Sequence, residues 1–427
     1  MRNSPTLCQL FVTAALQPIR QAWPNVIIYN YIDDILLAQA EPFTAAQMKY
    51  VKDILAKQGL QIAPEKVQLQ APWKYLGWKI TDSTITPQKL TLQTELHTLN
   101  DAQKFLGDLQ WLKPVVGIPN ELLMELRPML RGTDPTAKIV STLRQRTVLQ
   151  KIAEIIQQGS TSCRDPLLPI DLAIWLRKHH LLGALVHQLK KRGENRRQEK
   201  DIQVLEWLQP SIQQCKTVFQ KSEMLAVFIH KGRQRARQIT GNEPGTILLP
   251  TAQDILQWYM ENHEEVGLAL LGGRATVVTT VKWPPPLRWV GEQQWLSKPL
   301  RSEQPIPEAI TVFTDAGKKS QKAAITWQQG NEWREVILSA EEGDSLQTLE
   351  LSAVEWVMTN LSEPVNIVTD SLYVAGIVQR IEGSEIRQVD NKRLGNLLIQ
   401  LRLAIQTRTE HIPMQLFTFA VISGTLG

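Results

Sequence analysis

Two apolar runs that each end in an aspartate, with a helix between them, constrain this chain more than any other feature. Ile310-Thr311-Val312-Phe313-Thr314-Asp315 reads as a strand that delivers one carboxylate at its end, and Val365-Asn366-Ile367-Val368-Thr369-Asp370-Ser371 reads as a second strand doing the same. Leu346 to Met358 is predicted as a helix with Glu350 near its start. Three acids on separate elements, each at a terminus where elements can converge, are what a magnesium site needs: hard oxygen ligands held by rigid scaffolding. Two such ions about 4 Å apart activate a water and stabilise the leaving oxygen in phosphodiester hydrolysis. The pattern also has a plainer reading, because an aspartate that closes a strand is often an ordinary turn or cap residue.

Length and composition set the bounds around this motif. The 427 residues correspond to about three domains at roughly 150 residues each, so a single small module is excluded. The formal charge of +5 permits a polyanionic partner without establishing one. Cys8, Cys163 and Cys215 are an odd, scattered set, which argues against a disulfide framework and a cysteine zinc site. No apolar run approaches the ~20 residues needed to span a bilayer, and the first residues lack a hydrophobic signal core, so a soluble, intracellular, non-secreted protein is expected. The 13 tryptophans suit either large cores or platforms on which bases stack.

Asn25 to Ala40 holds two β-rich runs around a polar pair, the pattern of a hairpin with Asp33 and Asp34 at its turn. A helix is predicted before it from the spacing of Leu7, Leu10, Phe11 and Ala14, ending by Pro18 or Pro24. A second helix runs from Phe43 to Gln58 and stops at Gly59, and Trp73 to Ile80 reads as a short strand pair around Gly77. Ala102 to Leu112 is predicted to be helical and to break at Pro114. The turn formers of Gly159 to Pro166 suggest a linker. Two basic stretches, Lys190 to Arg197 and Lys231 to Arg237, are each either a solvated loop or a phosphate-contacting patch. Trp283 to Trp289, with three prolines, marks an extended edge or connector, and a new domain begins after Pro307. No internal repeat is visible.

Four groups of residues then resemble one family. Tyr31-Ile32-Asp33-Asp34 is similar to the Tyr-X-Asp-Asp hairpin of retroviral reverse transcriptases, and Trp73-Lys74-Tyr75-Leu76-Gly77-Trp78 resembles their primer-grip strands. Leu99 to Trp111 resembles the thumb helix, and Thr314-Asp315, Thr348-Leu349-Glu350 and Thr369-Asp370-Ser371 resemble the catalytic segments of the retroviral RNase H domain. The order of these groups is the family's, and together they cover nearly the whole chain. The resemblance is to Pol proteins of alpha- or betaretrovirus-like elements, endogenous copies included.

The resemblance implies an α/β (α+β) multidomain chain: palm remnant at 1–85, thumb at 86–158, connection at 159–305 and RNase H domain at 306–427. It implies that Asp33 and Asp34 hold metal at a primer end, and that Asp315, Glu350 and Asp370 hold two Mg2+ ions, with Mn2+ as an alternative. Tyr31 belongs to the same hairpin, Tyr75, Leu76, Gly77 and Trp78 would position a primer terminus, and Tyr373 resembles a substrate-strand contact. Gln103, Gly107 and Trp111 fall on one helical stripe, which in the family lies along the primer duplex. The same stripe could equally be a packed core face, although glycine in mid-helix costs roughly 1 kcal/mol and so favours close approach of something to it. The expected partners are an RNA–DNA hybrid or primer–template duplex and a fuller Pol subunit in a dimer; no membrane is expected.

Departures from the family carry their own expectations. The upstream aspartate that completes the polymerase site is missing, because Asn3 to Gln9 already resembles the start of the later palm helix. The His-bearing loop and the fourth aspartate of RNase H are also missing. Back-translating Phe417 to Thr425 with permitted codons and reading in a shifted frame can give a string resembling that His loop, so a frameshift is expected. Weak hydrolysis and an uncovered apolar surface on the last domain follow. Two other readings stand beside this one: a non-catalytic nucleic-acid- or partner-binding remnant, and a product with no role.

Overall fold

The computed structural model describes residues 3–88, 95–118, 120–177, 180–190, 200–209, 217–279, 296–299, 304–386, 389, 391–408 and 414–418. Residues 191–197 of the first basic stretch, the run Trp283–Trp289, Cys215 and the tail from 419 lie outside them. Two compact units form, one from Met1–Leu168 with Gln203–Trp207, the other from Pro169–Ile202 with Leu208–Gly427. Among the described residues no helix is long and apolar enough to cross a membrane.

The first unit opens with helices α1 (Ser4–Ala15) and α2 (Gln17–Ala22), the hairpin β1 (Ile27–Tyr31) and β2 (Asp34–Ala38), and α3 (Ala45–Lys57). Val12, Ala15, Leu16, Ile19, Ile28, Val51 and Leu55 form their shared core. The predicted first helix is present, with Leu7, Leu10 and Phe11 exposed on it, as are Ile27, Tyr29 and Tyr31 along one face of β1. Helical spacing identifies an apolar stripe, whereas burial depends on which stripe another element covers.

Strands β3 (Trp73–Tyr75), β4 (Trp78–Ile80), β5 (Thr84–Pro87) and β6 (Thr161–Ser162) form a four-stranded antiparallel sheet. The stretch read as a linker thus returns to the sheet, with Ile85 opposite Thr161 and the Cys163 N–H donating to the Ser83 carbonyl at 2.8 Å. Helices α4 (Leu99–Val116), α5 (Asn120–Leu126) and α6 (Leu143–Gln158) pack around Phe105, Leu109, Leu112, Leu149, Ile152 and Ile156. Helices α3, α4 and α6 each start with a capping box, Thr44 with Gln47, Thr98 with Asp101 and Thr142 with Gln145, which satisfies amide donors that the first turn leaves open. Helix α4 does not break at Pro114; it runs on to Val116 and is stopped by Gly117 in the left-handed conformation, φ 65°. Proline deletes one helical hydrogen bond, and burial of Leu112, Val115 and Val116 outweighs that loss.

From Pro169 onward the chain contains a repeat that the sequence does not display. Strands β7 (Asp171–Arg177), β8 (His180–Lys190) and β9 (Lys200–Leu208) are followed by β10 (Val218–Gln220), α7 (Lys221–Thr240), β11 (Thr246–Leu248), α8 (Gln253–Asn262), α9 (Glu264–Leu271) and β12 (Thr276–Val278). The sheet order is β12-β11-β7-β8-β9, with β11 parallel to both β7 and β12. Next come β13 (Ile310–Gly317), β14 (Lys322–Gln329), β15 (Glu332–Ser339), α10 (Leu346–Asn360), β16 (Val365–Thr369), α11 (Leu372–Ile381), β17 (Ser384–Ile386), α12 (Lys392–Thr407) and β18 (Met414–Thr418). Their sheet reads β15-β14-β13-β16-β18, with β16 parallel to β13 and β18, so the two sheets are wound alike. The repeat is invisible in sequence because the two sheets keep only the apolar pattern, which many residue sets satisfy.

Lys231–Arg237, the second basic stretch, lies on α7 and not on a loop. Arg233 is buried, donating to the Ala269 and Gly272 carbonyls and to Glu243, and Arg237 also pairs with Glu243. This segment is structural, because a buried guanidinium needs all of those acceptors. Among the described residues, Phe313, Trp333 and Ile337 are exposed on the same side of the last sheet as Asp315.

Candidate active site and nucleic-acid interface

Asp315 and Asp370 reach the same end of the last sheet for a simple reason. Strands β13 and β16 are parallel neighbours with Thr314 opposite Thr369, so the next residue on each strand is the aspartate. Adjacent strands lie about 4.8 Å apart, which sets the two carboxylates side by side. Strand β13 runs two residues past Asp315 to Gly317, so that acid stands within its strand and not at its end, whereas Asp370 follows the last residue of β16. Both are exposed, while Glu350, in the first turns of α10, is half-buried. Ser345 caps that helix and so fixes where Glu350 emerges.

Sequence reasoning did not single out the role of Ser371. Its hydroxyl donates to Glu350 Oε2 and accepts the Val374 N–H at 3.3 Å, so one buried side chain caps α11 and anchors the glutamate. The available signal was a serine directly after the strand-end aspartate and before a helical run. Burial pushes the Glu350 carboxyl above its ordinary value, the Ser371 hydrogen bond opposes that, and the charges of Asp370 and Asp315 add to the rise. Asp370 and Asp315 are thus close enough to Glu350 for their charges to act on it. Their oxygens are the hard donors that a divalent cation prefers. Even so, among the described residues no group of three His, Cys, Asp or Glu side chains is gathered tightly enough to hold a metal ion.

The shift has a consequence for stability. In the folded chain Glu350 binds its proton more tightly than in the unfolded chain, where the ordinary value is 4.5. The stability this proton confers is full below the unfolded value and is lost as pH rises through the raised folded value. Glu350→Gln is therefore expected to remove that loss and to leave the chain more stable than wild type above the window. Urea unfolding of both proteins at pH about 4 and about 7 reads it, and an equal change in the two would contradict it.

The first unit carries the other predicted residues. Ile32 and Asp33 form the two-residue turn of the β1–β2 hairpin, and Asp34 opens β2 opposite Tyr31. Only Asp33 is thus in the turn itself, although both aspartates are exposed beside it. Ile32 sits at φ 53°, unusual for a β-branched residue. Gln9 of α1 holds this geometry, accepting the Ile32 N–H at 2.5 Å and donating to the Asn30 carbonyl at 3.1 Å. The second hairpin turns through Leu76 and Gly77, both at positive φ, with Tyr75 opposite Trp78. Tyr75 is pushed above its usual value by burial and, to a lesser extent, by the charge of Asp34.

Gln103, Gly107 and Trp111 lie on the exposed side of α4, opposite Ala102, Phe105, Leu109 and Leu112. The packed-core reading of that stripe is thereby excluded. Trp111 is 54% exposed and stacks on Trp78, ring centroids 5.8 Å apart, and Gly107 faces open space. Tyr373, in the first turn of α11, is half-buried against the domain core and its hydroxyl is pushed up by that burial.

A three-stranded antiparallel meander extended by two parallel strands, with one acid near the end of its first strand and one just after its fourth, defines an RNase H-like domain of mixed α/β type. Comparison with known families extends this along the chain. Family models match for Reverse transcriptase (RNA-dependent DNA polymerase) at residues 1–80, Reverse transcriptase thumb domain at 87–150, ERVK-8-like, RNaseH-like domain at 182–280 and RNase H at 307–420. The chain belongs to the retroviral Pol family of reverse transcriptases with RNase H domains. It is 34% identical over 388 residues to the Gag-Pro-Pol polyprotein of Squirrel monkey retrovirus, covering 90% of this chain and 20% of that one. The Gag-Pro-Pol polyprotein of Sheep pulmonary adenomatosis virus is 31% identical over 96% of this chain and 23% of its own length. The Pol-related polyprotein of a mouse intracisternal A-particle is 29% identical over 96% of this chain, and 45% of that protein is covered. The chain thus spans between a fifth and a half of the length of these relatives. The match at 182–280 also accounts for the duplicated sheet, which sequence reading had treated only as a connection.

Proposed function

We propose that this chain binds an RNA–DNA hybrid and hydrolyses its RNA strand, at a low rate, at Asp315, Glu350 and Asp370. The observation that carries the reading is the convergence of these carboxylates from β13, α10 and β16 at one sheet end, in a segment matched by the RNase H family. In this reading the three acids hold divalent metal, which when bound activates water and stabilises the leaving oxygen. The residues themselves orient: Ser371 fixes the Glu350 carboxylate, and the strand ends present the two aspartates to the phosphate. A low rate is proposed because the acids are not gathered into a ready cage among the described residues. The modules are proposed as 1–85 palm, 86–158 thumb, 159–305 connection and 306–427 RNase H. Asp33 and Asp34 with Tyr31 would face a primer end, Tyr75 to Trp78 and the stripe Gln103, Gly107 and Trp111 would line the duplex, and Tyr373 would meet the substrate strand. Pairing with a longer Pol subunit belongs to the same proposal, favoured by the exposed apolar side chains of α1 and β1.

That no metal-holding group of acids is gathered among the described residues favours a second reading, in which the chain binds hybrid without cutting it. One assay separates the two. The chain is incubated with labelled RNA–DNA hybrid and Mg2+ or Mn2+, and cleavage and binding are read from the same samples. Metal-dependent cutting of the RNA strand supports the hydrolase; salt-sensitive binding with intact RNA supports the binding module; neither would end both readings.

A further inference from the structure

The turn that joins β13 to β14 is basic and leads away from Asp315. Its residues are Gly317-Lys318-Lys319-Ser320-Gln321-Lys322, with Gly317 paired opposite Lys322. Lys318, Lys319 and Lys322 are all exposed. The turn has a defined shape. Ser320 Oγ donates to the Gly317 carbonyl at 3.1 Å, the Ala340 N–H donates to the Gln321 carbonyl at 2.9 Å, and Gln321 takes φ 51°. A side chain at position 317 would meet the Ser320 hydroxyl and displace it from its bond to the Gly317 carbonyl.

Register fixes where the third lysine stands. Asp315 is opposite Ala324 and Gly317 opposite Lys322, so Lys322 shares the face of Asp315, one pleat repeat away. Two residues along a strand span about 7 Å. No salt bridge within 4.0 Å joins any of the three lysines to an acid among the described residues, and the nearby acids Glu341 and Asp344 are engaged by Arg393. An exposed lysine turn is by default only solvated. Here it borders a group of carboxylates whose own field repels a phosphodiester, so a polyanion can approach that group only if cations at its rim offset the repulsion.

We propose that Lys318, Lys319 and Lys322 form a phosphate-gripping rim that holds the sugar-phosphate backbone of an RNA–DNA hybrid beside the attacked phosphate. This deepens the hydrolase reading and rests on it. It is also separate from the two basic stretches seen in the sequence, neither of which adjoins the acids on a described strand.

The test measures binding of a short RNA–DNA hybrid by the full chain in EDTA across a range of KCl concentrations, so that no chemistry contributes. Wild type is compared with the triple Lys318→Ala, Lys319→Ala, Lys322→Ala variant and with the corresponding triple arginine variant. Each lost phosphate contact flattens the slope of log affinity against log salt by about 0.9, so the alanine triple is expected to be shallower by about 2 to 3 and the arginine triple unchanged. All three sites are exposed, and an unchanged thermal melt confirms that the alanine protein is folded. A folded alanine triple with the wild-type slope overturns the rim and leaves the hydrolase reading intact. Wild type that binds no hybrid overturns both.

Discussion

Asp315→Asn is expected to reduce hybrid hydrolysis by at least on the order of 100-fold, since loss of even an outer partner of a metal ligand costs 10- to 100-fold in metal affinity or activity. The same substitution is expected to stabilise the protein. Asp315 and Asp370 lie side by side on the paths of adjacent strands, and both raise the proton affinity of Glu350, so removing one charge relieves repulsion in the metal-free chain. Opposite effects on rate and melting temperature would identify Asp315 as a residue kept for function at the cost of stability. Single-turnover cleavage and thermal melts without metal read the two halves. A variant that cuts as well as wild type removes Asp315 from the chemistry, and one that melts lower removes the repulsion argument.

Helix α4 offers the second large effect, because its two faces are expected to answer mutation in opposite ways. Leu109 is fully buried in the three-helix core, so Leu109→Ala is expected to cost about 2–5 kcal/mol of stability. On the other face, Gln103→Ala is expected to change stability by no more than about 0.5 kcal/mol while weakening duplex binding. Trp111→Ala should lose about 0.5–1.5 kcal/mol, the worth of its stack on Trp78, and also weaken binding. Urea unfolding and fluorescence anisotropy with a primer–template duplex separate the faces. If Gln103→Ala and Trp111→Ala bind duplex like wild type, the exposed stripe is not the interface.

Much of the local structure was legible in the sequence. The alternation of Ile310 to Asp315 identified a strand carrying an acid, although the strand runs on to Gly317. The hairpin at Asp33 was legible from two β-rich runs around a polar pair. Other features were not. Pro114 looked like a stop, but the helix continues because tertiary burial of the residues around it exceeds the loss of one hydrogen bond. The spacing of Leu7, Leu10 and Phe11 marked a helix but not its buried side, and they are exposed, because periodicity marks an apolar stripe without saying what covers it.

The sequence alone determined the chemistry that this chain can present: which carboxylates stand at element ends, where the turns fall, and which family its motifs resemble. Only the tertiary structure decided that Asp315 and Asp370 stand side by side, that Ser371 anchors Glu350 and that a second sheet repeats the winding of the last one. The physical reason lies in range. Propensity, capping and turn geometry act over a few neighbouring residues, whereas the parallel register of Thr314 with Thr369 joins segments separated by a hairpin and a helix.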